Sequence, residues 1–449
     1  MRLKPPQVVV LSFLVTIIVG TLLLNLPIAH NVEGETNLLD SIFTATSATC
    51  VTGLIVRDTS EDWSPFGKIV IFLLFQAGGL GIMTLSTFFA VLLGRKLTLR
   101  ENVVIQSALA RDRVYGAKRL ITYIVGLTVI VELIGASLLY WRWSHIESWP
   151  LKERLVKSIF HSVSAFCNAG FSLFSNSFVN FEGDVYINAI MIFLIFLGGI
   201  GFIVILEILR GIFFVREYKK PRLSLQSKIV LVTSLFLIVA GAFFILALEN
   251  NNVLSGMTLK EKLFGSVFQA VTPRTAGFNT LPVSKFAPST LMVLMFLMFI
   301  GASPGSTGGG IKSCTFAIVM ATAWTMSKNR DRVFMFGRTI PRTIVRRAIL
   351  IFILALVWIF SATLLFVIFE RGNLEAENIV VRSLFEVTSA FGTVGLTTGI
   401  TPQLSPLGKL LITITMFVGR IGPLTLALAV AIKEERLDYT YPEERVMVG

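Results

Sequence analysis

One short pattern occurs four times along this chain at nearly equal intervals, and it constrains the fold more than any other feature. Each copy begins with Ser, an apolar residue and Phe, and reaches a glycine nine or ten residues after the Phe. Self-similarity at a fixed period indicates a repeat architecture, so we expect four related structural units. The copies are SIFTATSATCVTGLIV (41–56), SIFHSVSAFCNAGFSLF (158–174), SVFQAVTPRTAGFNTL (266–281) and SLFEVTSAFGTVGLTT (383–398), with the repeated glycine at Gly53, Gly170, Gly277 and Gly395.

The hydropathy of each unit follows one plan. A stretch of about 20 apolar residues, long enough to cross a bilayer, comes first, and the short segment before each repeated glycine is too short to cross. A second long apolar stretch then follows the glycine. The first stretch of the chain is too long for a cleaved signal segment, so we interpret it as a retained transmembrane helix. The first stretches are 8–29, 120–141, 229–248 and 348–369, and the second are 66–93, 185–209, 289–325 and 407–432.

This plan predicts an all-α integral membrane protein. We expect four fused units of membrane helix, pore helix and membrane helix (M1-P-M2) around a central pore, with eight transmembrane helices and four re-entrant half-helices. The third unit is expected to have an interrupted second helix, for a reason given below. The predicted units are 1–95, 119–214, 228–327 and 347–432, followed by a cytoplasmic C-terminal tail at 433–449.

The charge distribution supports a membrane protein and argues against a nucleic-acid-binding one. Only 15% of the residues are charged, against roughly 25% in soluble domains. The net charge of +13 comes mainly from five segments that hold 25 Lys or Arg and 9 Asp or Glu. Basic segments between spans face the cytoplasm, so both termini are expected there. The five segments are 1–7, 94–119, 210–228, 326–347 and 431–449.

The sequence offers no pattern typical of a metal site, a disulfide framework or an enzyme. The three cysteines cannot all pair with one another, and the three histidines are scattered without metal-ligand spacing. The apolar spans also lack a convergent set of acids, bases or nucleophiles. We therefore expect a transport protein and not an enzyme.

The loops around the repeated glycines are the predicted functional site. Irregular backbone at membrane depth is tolerated only where it is buried in protein or lines an aqueous cavity. Four such loops can converge on one axis, where their carbonyl oxygens replace the water shell of a dehydrated monovalent cation. We expect the cation at the backbone carbonyls of Thr52, Ala169, Ala276 and Val394. The predicted selectivity filter consists of these four residues together with Gly53, Gly170, Gly277 and Gly395.

A second glycine cluster follows each repeated glycine by 24–28 residues. Such clusters can have a role in the pore, or they can simply let helices approach closely, as in GxxxG packing. The sequence leaves both interpretations open. The clusters are QAGGLG (76–81), LGGIG (197–201), GASPG (301–305) and GRIG (419–422).

The third cluster extends into GASPGSTGGGIKSC (301–314), which is too rich in glycine to sustain a helix. It is not a phosphate-binding loop, because Ile311 separates Gly310 from Lys312. We interpret it as a flexible constriction below the filter, with Lys312 as a cation barrier or an anchor. The predicted gating loop consists of Gly305, Ser306, Thr307, Gly308, Gly309, Gly310, Ile311 and Lys312.

Charged residues inside apolar spans are costly and often functional. Arg420 is expected level with the gating loop, where it could bind the loop's carbonyls, reduce cation occupancy or act only structurally. Arg274 is expected to pair with a carboxylate behind the filter, for which Glu386 is the candidate. Glu207 is expected to pair with Arg210.

Taken together, these motifs resemble the Trk/Ktr/HKT superfamily of cation transporters, and within it the KtrB family, the membrane subunits of bacterial Ktr potassium uptake systems. In that superfamily, glycine at all four filter positions goes with potassium selectivity, whereas a serine at the first position, as in some plant relatives, shifts it toward sodium. Gly53 therefore implies potassium, and the 301–314 segment an intramembrane gate.

The resemblance also implies partners and a location. These are a homodimer with one pore per protomer, in the lipid of the bacterial plasma membrane, and a cytosolic ring of KtrA-type subunits that docks on the basic face. ATP or ADP would bind that ring and not this chain, and Na⁺ is a candidate activator. The segment 437–449 is expected to pack against a dimer partner.

One alternative function stays open from the sequence. A secondary carrier could couple cation uptake to Na⁺ or H⁺ through an intramembrane carboxylate, for which Glu132 is the candidate. Glu132 could equally hold two helices together. Fourfold parallel repeats argue against the paired, often inverted halves of such carriers.

Overall fold

The computed structural model describes residues 5–31, 37–81, 117–213, 223–373 and 378–430. The predicted tail 433–449 and the end of the predicted first unit lie outside the described residues, as does most of the basic segment 94–119. The described part is mostly helical. Its helices are α1 (Pro5–Leu24), α2 (Leu38–Thr49), α3 (Pro65–Leu80), α4 (Ala117–Ile146), α5 (Leu151–Cys167), α6 (Val185–Ile200), α7 (Phe202–Phe213), α8 (Leu225–Glu249), α9 (Leu259–Val271), α10 (Pro288–Phe299), α11 (Ser313–Ser327), α12 (Arg342–Phe369), α13 (Ile379–Gly392), α14 (Pro406–Ile421) and α15 (Pro423–Val430).

Four of these helices, α1, α4, α8 and α12, are long and apolar enough to cross a membrane. Their outward surfaces are apolar as well, since Phe236 and Phe360 are 65% and 73% exposed. Large exposed apolar surfaces of this kind are typical of contact with lipid. The prediction of a mostly helical membrane protein is therefore confirmed.

Four shorter helices, α2, α5, α9 and α13, end just before the repeated glycines. Local side chains define where two of them begin. The Asn37 side chain accepts a hydrogen bond from the backbone of Leu39 at the start of α2. Thr258 and Glu261 form a reciprocal capping box at the start of α9, which satisfies two otherwise unpaired N–H groups.

Helices α3, α6 and α14 share the way they begin and end. Each begins after an N-cap side chain that accepts a backbone hydrogen bond, namely Ser64, Asp184 or Ser405. Each ends at a glycine with positive φ, a conformation that is unfavourable for residues with a Cβ atom. The φ values are 81° at Gly81, 94° at Gly201 and 88° at Gly422.

The bends at these glycines overturn one expectation. The predicted continuous spans 185–209 and 407–432 are each two helices, bent by 104° at Gly201 and by 91° at Gly422. An interrupted second helix is therefore not a property of the third unit alone. By length and composition, four helices, or six if each bent pair is one span, can cross a membrane in the described part.

The third unit has the longest interruption, from Ile300 to Lys312, between α10 and α11. A small antiparallel hairpin, β1 (Phe334–Met335) and β2 (Arg338–Thr339), then connects α11 to α12. The buried side chains of Val333 and Ile340 hold this hairpin against the helices.

Candidate cation site formed by four glycine loops

The four loops after the short helices share one backbone conformation. In each loop the repeated glycine has a φ between 72° and 92°. The residue two positions earlier also has positive φ, although it is not glycine. A single residue of ordinary φ separates the two, so successive carbonyl groups turn in different directions. The earlier residues are Val51, Asn168, Thr275 and Thr393, with φ of 57°, 57°, 79° and 50°.

The four loops meet in a closed ring. A Cβ atom built on each repeated glycine would lie less than 3.0 Å from the carbonyl oxygen of the residue that precedes the next glycine. Real Cβ atoms essentially never approach an atom that closely, so each position needs glycine for space as well as for φ. All eight predicted filter residues are thereby brought together. The contacts run from Gly53 to Ala169, from Gly170 to Ala276, from Gly277 to Val394 and from Gly395 to Thr52.

A buried hydroxyl four residues after the repeated Phe supports each loop. Ser47 Oγ donates to the carbonyl of Leu54 over 2.7 Å and accepts from the Gly53 N–H over 3.1 Å. Ser164 Oγ and Thr272 Oγ1 donate to the corresponding carbonyls after Gly170 and Gly277, over 2.8 and 2.5 Å.

Ser389 Oγ accepts from the N–H of Gly395 over 3.1 Å. These four hydroxyls lie outside the site predicted from the sequence. A signal was nevertheless present, because Ser or Thr stands at this position in all four copies of the pattern.

The predicted gating loop lies directly against the ring. Gly309 N–H donates to Thr393 Oγ1 over 3.1 Å, and a Cβ on Gly308 would overlap Thr275. The side-chain amide of Asn168 lies 3.1 Å from Thr307 Oγ1. The loop thus contacts three of the four positive-φ residues that precede the glycines.

The ends of this loop are joined at a narrow neck. Ile300 and Ile311 form a parallel backbone bridge, and the Oγ atoms of Ser303 and Ser313 are 3.1 Å apart. Lys312 Nζ donates to the carbonyl of Gly308 over 2.7 Å, so its charge is bound within the loop itself.

Arg420 connects the loop to a neighbouring helix. Its guanidinium donates to the carbonyl of Thr307 in the loop and to the carbonyl of Gly78 at the end of α3. The N–H of Gly310 also approaches the carbonyl of Gly419 at 3.4 Å. This geometry matches binding to the loop's carbonyls, and the contact with Gly78 also fits a structural arginine bound to a helix end.

The expected ion pair between Arg274 and Glu386 is wrong. Arg274 is 5% exposed, and its Nε and Nη2 atoms have no hydrogen-bond partner among the described residues. Both carboxylate oxygens of Glu386 are occupied by groups of its own unit, at Thr397, Thr398 and Thr401. The segment after Gly395 supplies hydrogen-bond donors to both carboxylate oxygens, so Glu386 is satisfied without an ion pair to Arg274.

Glu132 lies at a junction of three helices. Its two carboxylate oxygens accept from Gln76 Nε2 over 3.1 and 3.2 Å, and Cys167 Sγ donates to Gln76 Oε1 over 3.1 Å. These contacts join α3, α4 and α5, which favours a role in holding helices together.

Glu207 accepts from the N–H of Ser224 over 3.0 Å and from Ser227 Oγ over 2.7 Å, at the start of α8. This contact places the carboxylate at the positive end of the helix dipole. The pairing of Glu207 with Arg210 stays a prediction.

The second glycine clusters serve close packing as well as bending. A Cβ on Gly78, Gly198 or Gly419 would overlap a backbone carbonyl near the end of a short helix. Helices α3, α6 and α14 can therefore lie directly against the ends of α2, α5 and α13. The carbonyls are those of Thr49, Phe166 and Phe391.

Comparison with known proteins places the chain in a family. Residues 5–439 match the family model TrkH, described as a cation transport protein. The Ktr system potassium uptake protein B of Bacillus subtilis is 38% identical, with 100% of this chain and 97% of the relative covered. The potassium/sodium uptake protein NtpJ of Enterococcus hirae is 36% identical, with 100% and 98% covered.

The fold has a solved counterpart too. The crystal structure of the potassium transporter TrkH from Vibrio parahaemolyticus matches with a TM-score of 0.67 at 18% identity, over 93% of this chain and 84% of that chain. The resemblance inferred from the four glycine motifs is thereby confirmed. This chain belongs to the TrkH family of cation transport proteins.

Proposed function

We propose that this chain is the membrane subunit of a potassium uptake system and conducts K⁺ through the ring of glycine loops. The closed ring of contacts among the four repeated glycines is the observation that carries the proposal. Potassium as the ion is supported by the names of the Bacillus and Enterococcus relatives. In this proposal the chain folds as four M1-P-M2 units, and the cation binds the carbonyls of Thr52, Ala169, Ala276 and Val394.

The physical chemistry of the ring suits a monovalent cation. Carbonyl dipoles from four loops replace water around the ion without adding a fixed charge that would hold it too tightly. Four short helices end just before the loops, and the C-terminal end of a helix carries a partial negative charge. Their fields therefore add at the ring and favour a cation there.

The loop 305–312 acts in this proposal as the gate, and Arg420 as the residue that holds the gate closed. Supporting it are the loop's contacts with Thr393 and Thr275 and the two carbonyls that Arg420 binds. To open, the loop must release Arg420 and withdraw from the ring. Its glycines lower the conformational cost of such a movement.

The assembly belongs to the proposal as well. We expect a homodimer in the bacterial plasma membrane, with both termini cytoplasmic and a KtrA-type nucleotide-binding ring on the basic face. The charge distribution of the sequence and the name of the Bacillus relative as part of a Ktr system support this arrangement.

A carrier coupled through Glu132 is less well supported. Gln76 occupies both of its carboxylate oxygens, and the group lies between three helices. It is not among the residues that form the glycine ring.

Replacing Gly53 with serine tests the proposed function. We expect Gly53→Ser to weaken potassium uptake and to raise sodium permeation, because a side chain there meets the carbonyl of Ala169 and requires an unfavourable φ of 85°. The measurement is rubidium and potassium uptake over a range of sodium concentrations, in cells that lack other potassium transporters.

The matched control is Gly126→Ser, since Gly126 on α4 has open space around its Cβ position. Native-like transport is expected for this variant. If Gly53→Ser reached the membrane in normal amounts and kept native selectivity, the ring would not be the filter. A carrier mechanism would then be the better explanation.

A further inference from the structure

Behind the ring, one position of each short helix lies next to the segment that follows the repeated glycine. This position directly follows the repeated Phe, and its side chain is at most 2% exposed in all four units. The residue type differs from unit to unit, unlike the glycine. The four residues are Thr44, His161, Gln269 and Glu386.

In the fourth unit this residue is a carboxylate with four hydrogen bonds. Glu386 Oε1 accepts from Thr397 Oγ1 over 2.7 Å, and from the N–H and Oγ1 of Thr398 over 2.8 and 3.1 Å. Glu386 Oε2 accepts from Thr401 Oγ1 over 2.7 Å. The donors begin two residues after Gly395, so the carboxylate holds the segment that follows this glycine.

In the second unit a histidine makes the same connection. His161 Nε2 accepts from the N–H of Leu173 over 3.1 Å and lies 3.1 Å from Ser172 Oγ. Ser172 and Leu173 are two and three residues after Gly170, the same offsets as Thr397 and Thr398 from Gly395. Because Nε2 accepts, Nδ1 carries the proton and donates to the carbonyl of Lys157 over 2.8 Å.

The other two units lack this connection within the described part of the chain. In the third, both polar atoms of the Gln269 side chain are without a hydrogen-bond partner, and so is Thr280 Oγ1, three residues after Gly277. In the first, Thr44 Oγ1 is unpartnered and the strand carries the apolar residues Ile55 and Val56.

The order of the four glycines around the ring shows how the loops with and without these hydrogen bonds are arranged. We call a loop braced when the residue after the repeated Phe forms hydrogen bonds to the segment that follows the glycine, as in the loops of Gly170 and Gly395. Since the glycine contacts run 53, 170, 277, 395 and back to 53, these two braced loops are opposite each other. We propose that Glu386, with His161 across the ring, is a positioning residue that fixes the ring geometry and so contributes to the discrimination of K⁺ from Na⁺. This inference rests on the proposed function, because it takes the ring to be the cation filter.

The chemistry explains why Glu386 has the larger effect of the two. Glu386 receives four hydrogen bonds from three residues of the segment after Gly395. His161, by contrast, receives one from the Leu173 N–H and lies beside Ser172 Oγ. Selectivity by carbonyl groups depends on their number, their field and how far they can yield around the ion. Without its hydrogen bonds to Glu386, the segment after Gly395 would move more freely, and the carbonyls near Gly395 could close around a smaller ion.

The test compares two similar changes at the same position of two repeats. Glu386→Met removes every acceptor with little change in volume, whereas Gln269→Met removes no hydrogen bond to the described protein. We measure K⁺ and Na⁺ binding to the full-length purified chain in lipid nanodiscs by calorimetry. We expect Glu386→Met to reduce the K⁺/Na⁺ affinity ratio about tenfold, which corresponds to roughly 1.4 kcal/mol, and Gln269→Met to leave the ratio unchanged.

Glu386→Gln tests whether the hydrogen bonds of this side chain matter or only its volume. Its amide oxygen can still accept from Thr398, so most of the native ratio should be restored. An unchanged ratio in a folded Glu386→Met protein would overturn the inference, and so would an equal loss in Gln269→Met. If Glu386→Met fails to fold, Thr401→Val decides, since it removes the 2.7 Å bond to Oε2 and the 2.9 Å contact with Thr397 Oγ1 but leaves the three bonds to Oε1 in place. A smaller loss in the same direction supports the inference, and no change overturns it.

Gly53→Ser is measured in the same series to separate the two proposals. If it leaves the K⁺/Na⁺ ratio unchanged, the proposed function fails and the inference fails with it. If it lowers the ratio while the Glu386 variants do not, the filter stands and only the positioning role of Glu386 is wrong.

Discussion

At the scale of single residues, each loop depends on a few buried polar contacts. The hydroxyl groups of Ser47, Ser164 and Thr272 donate to carbonyls just beyond the ring, and Ser47 and Ser389 also accept from the glycine N–H. Such bonds hold carbonyls in unusual orientations that no regular secondary structure would maintain. Removing one leaves buried backbone groups unpaired.

Replacing Ser47 with alanine should therefore destabilise the protein. Two buried backbone groups, Leu54 C=O and Gly53 N–H, lose their partner, at a cost of about 1–3 kcal/mol for each unsatisfied group. We expect a lower unfolding temperature of the purified protein together with weaker K⁺ binding. Ser137→Ala is the control, because Ser137 is exposed and bonds only to Leu133 in its own helix. Equal unfolding temperatures for the two variants would contradict the supporting role.

The residues that form the glycine ring could be predicted from the sequence because the pattern repeats. Four copies with a glycine nine or ten residues after the Phe identified the eight residues that the structure brings together. The pairing of Arg274 with Glu386 could not be predicted correctly, since the sequence does not reveal that Thr397, Thr398 and Thr401 reach the carboxylate first.

At the scale of elements, the decisive feature is the segment between α10 and α11. Its neck is closed by Ile300 and Ile311, and its tip lies against Thr393. Arg420 is the connection between this loop and α3. The loop is thus held by contacts that a modest movement can break.

Removing the guanidinium should favour the open loop. In Arg420→Gln we expect faster rubidium uptake than in the native protein with an unchanged K⁺/Na⁺ preference, because the glycine ring does not depend on Arg420. Uptake into potassium-transport-deficient cells measures both quantities. Arg346→Gln, at an exposed position near the start of α12, controls for the lost positive charge. Slower uptake with normal expression would indicate that Arg420 aids conduction instead of holding the loop closed.

Hydropathy identified the apolar segments but not their shape. Segments 185–209 and 407–432 are continuous in hydropathy, yet each bends by about a right angle at its glycine. The same glycine could have served close packing in a straight helix. Only the neighbouring helices decide between these outcomes, and the sequence around one glycine does not contain that information.

At the scale of the whole molecule, the first and fourth quarters of the chain must meet to close the ring. Asp40 at the start of α2 accepts from Arg57 Nε over 3.0 Å and from Lys409 Nζ over 2.7 Å. Asp40 is 5% exposed. One buried carboxylate therefore joins two segments that are 369 residues apart.

Asp40→Asn should loosen this closure. Arg57 and Lys409 each lose their ion pair with Asp40, and breaking a buried ion pair typically costs about 3–5 kcal/mol, less here because both cations retain some exposure. We expect a clearly lower unfolding temperature of the purified protein. Glu153→Gln breaks a pair with Lys157 in which the carboxylate is 46% exposed, so it should change stability by less than about 1 kcal/mol. Similar effects of the two changes would show that Asp40 does not join the quarters.

The sequence by itself determined the four glycine motifs and the apolar character of the long helices, because these properties are written in local patterns that recur. It did not determine the order of the glycines around the ring or the bends at Gly201 and Gly422. Those features depend on contacts between residues far apart in the chain, whose directions are set only when all the helices pack together. The copies also differ at the residue after the repeated Phe, and in the described part of the chain the fold gives His161 and Glu386, but not Thr44 and Gln269, hydrogen-bond partners in the segment after the glycine.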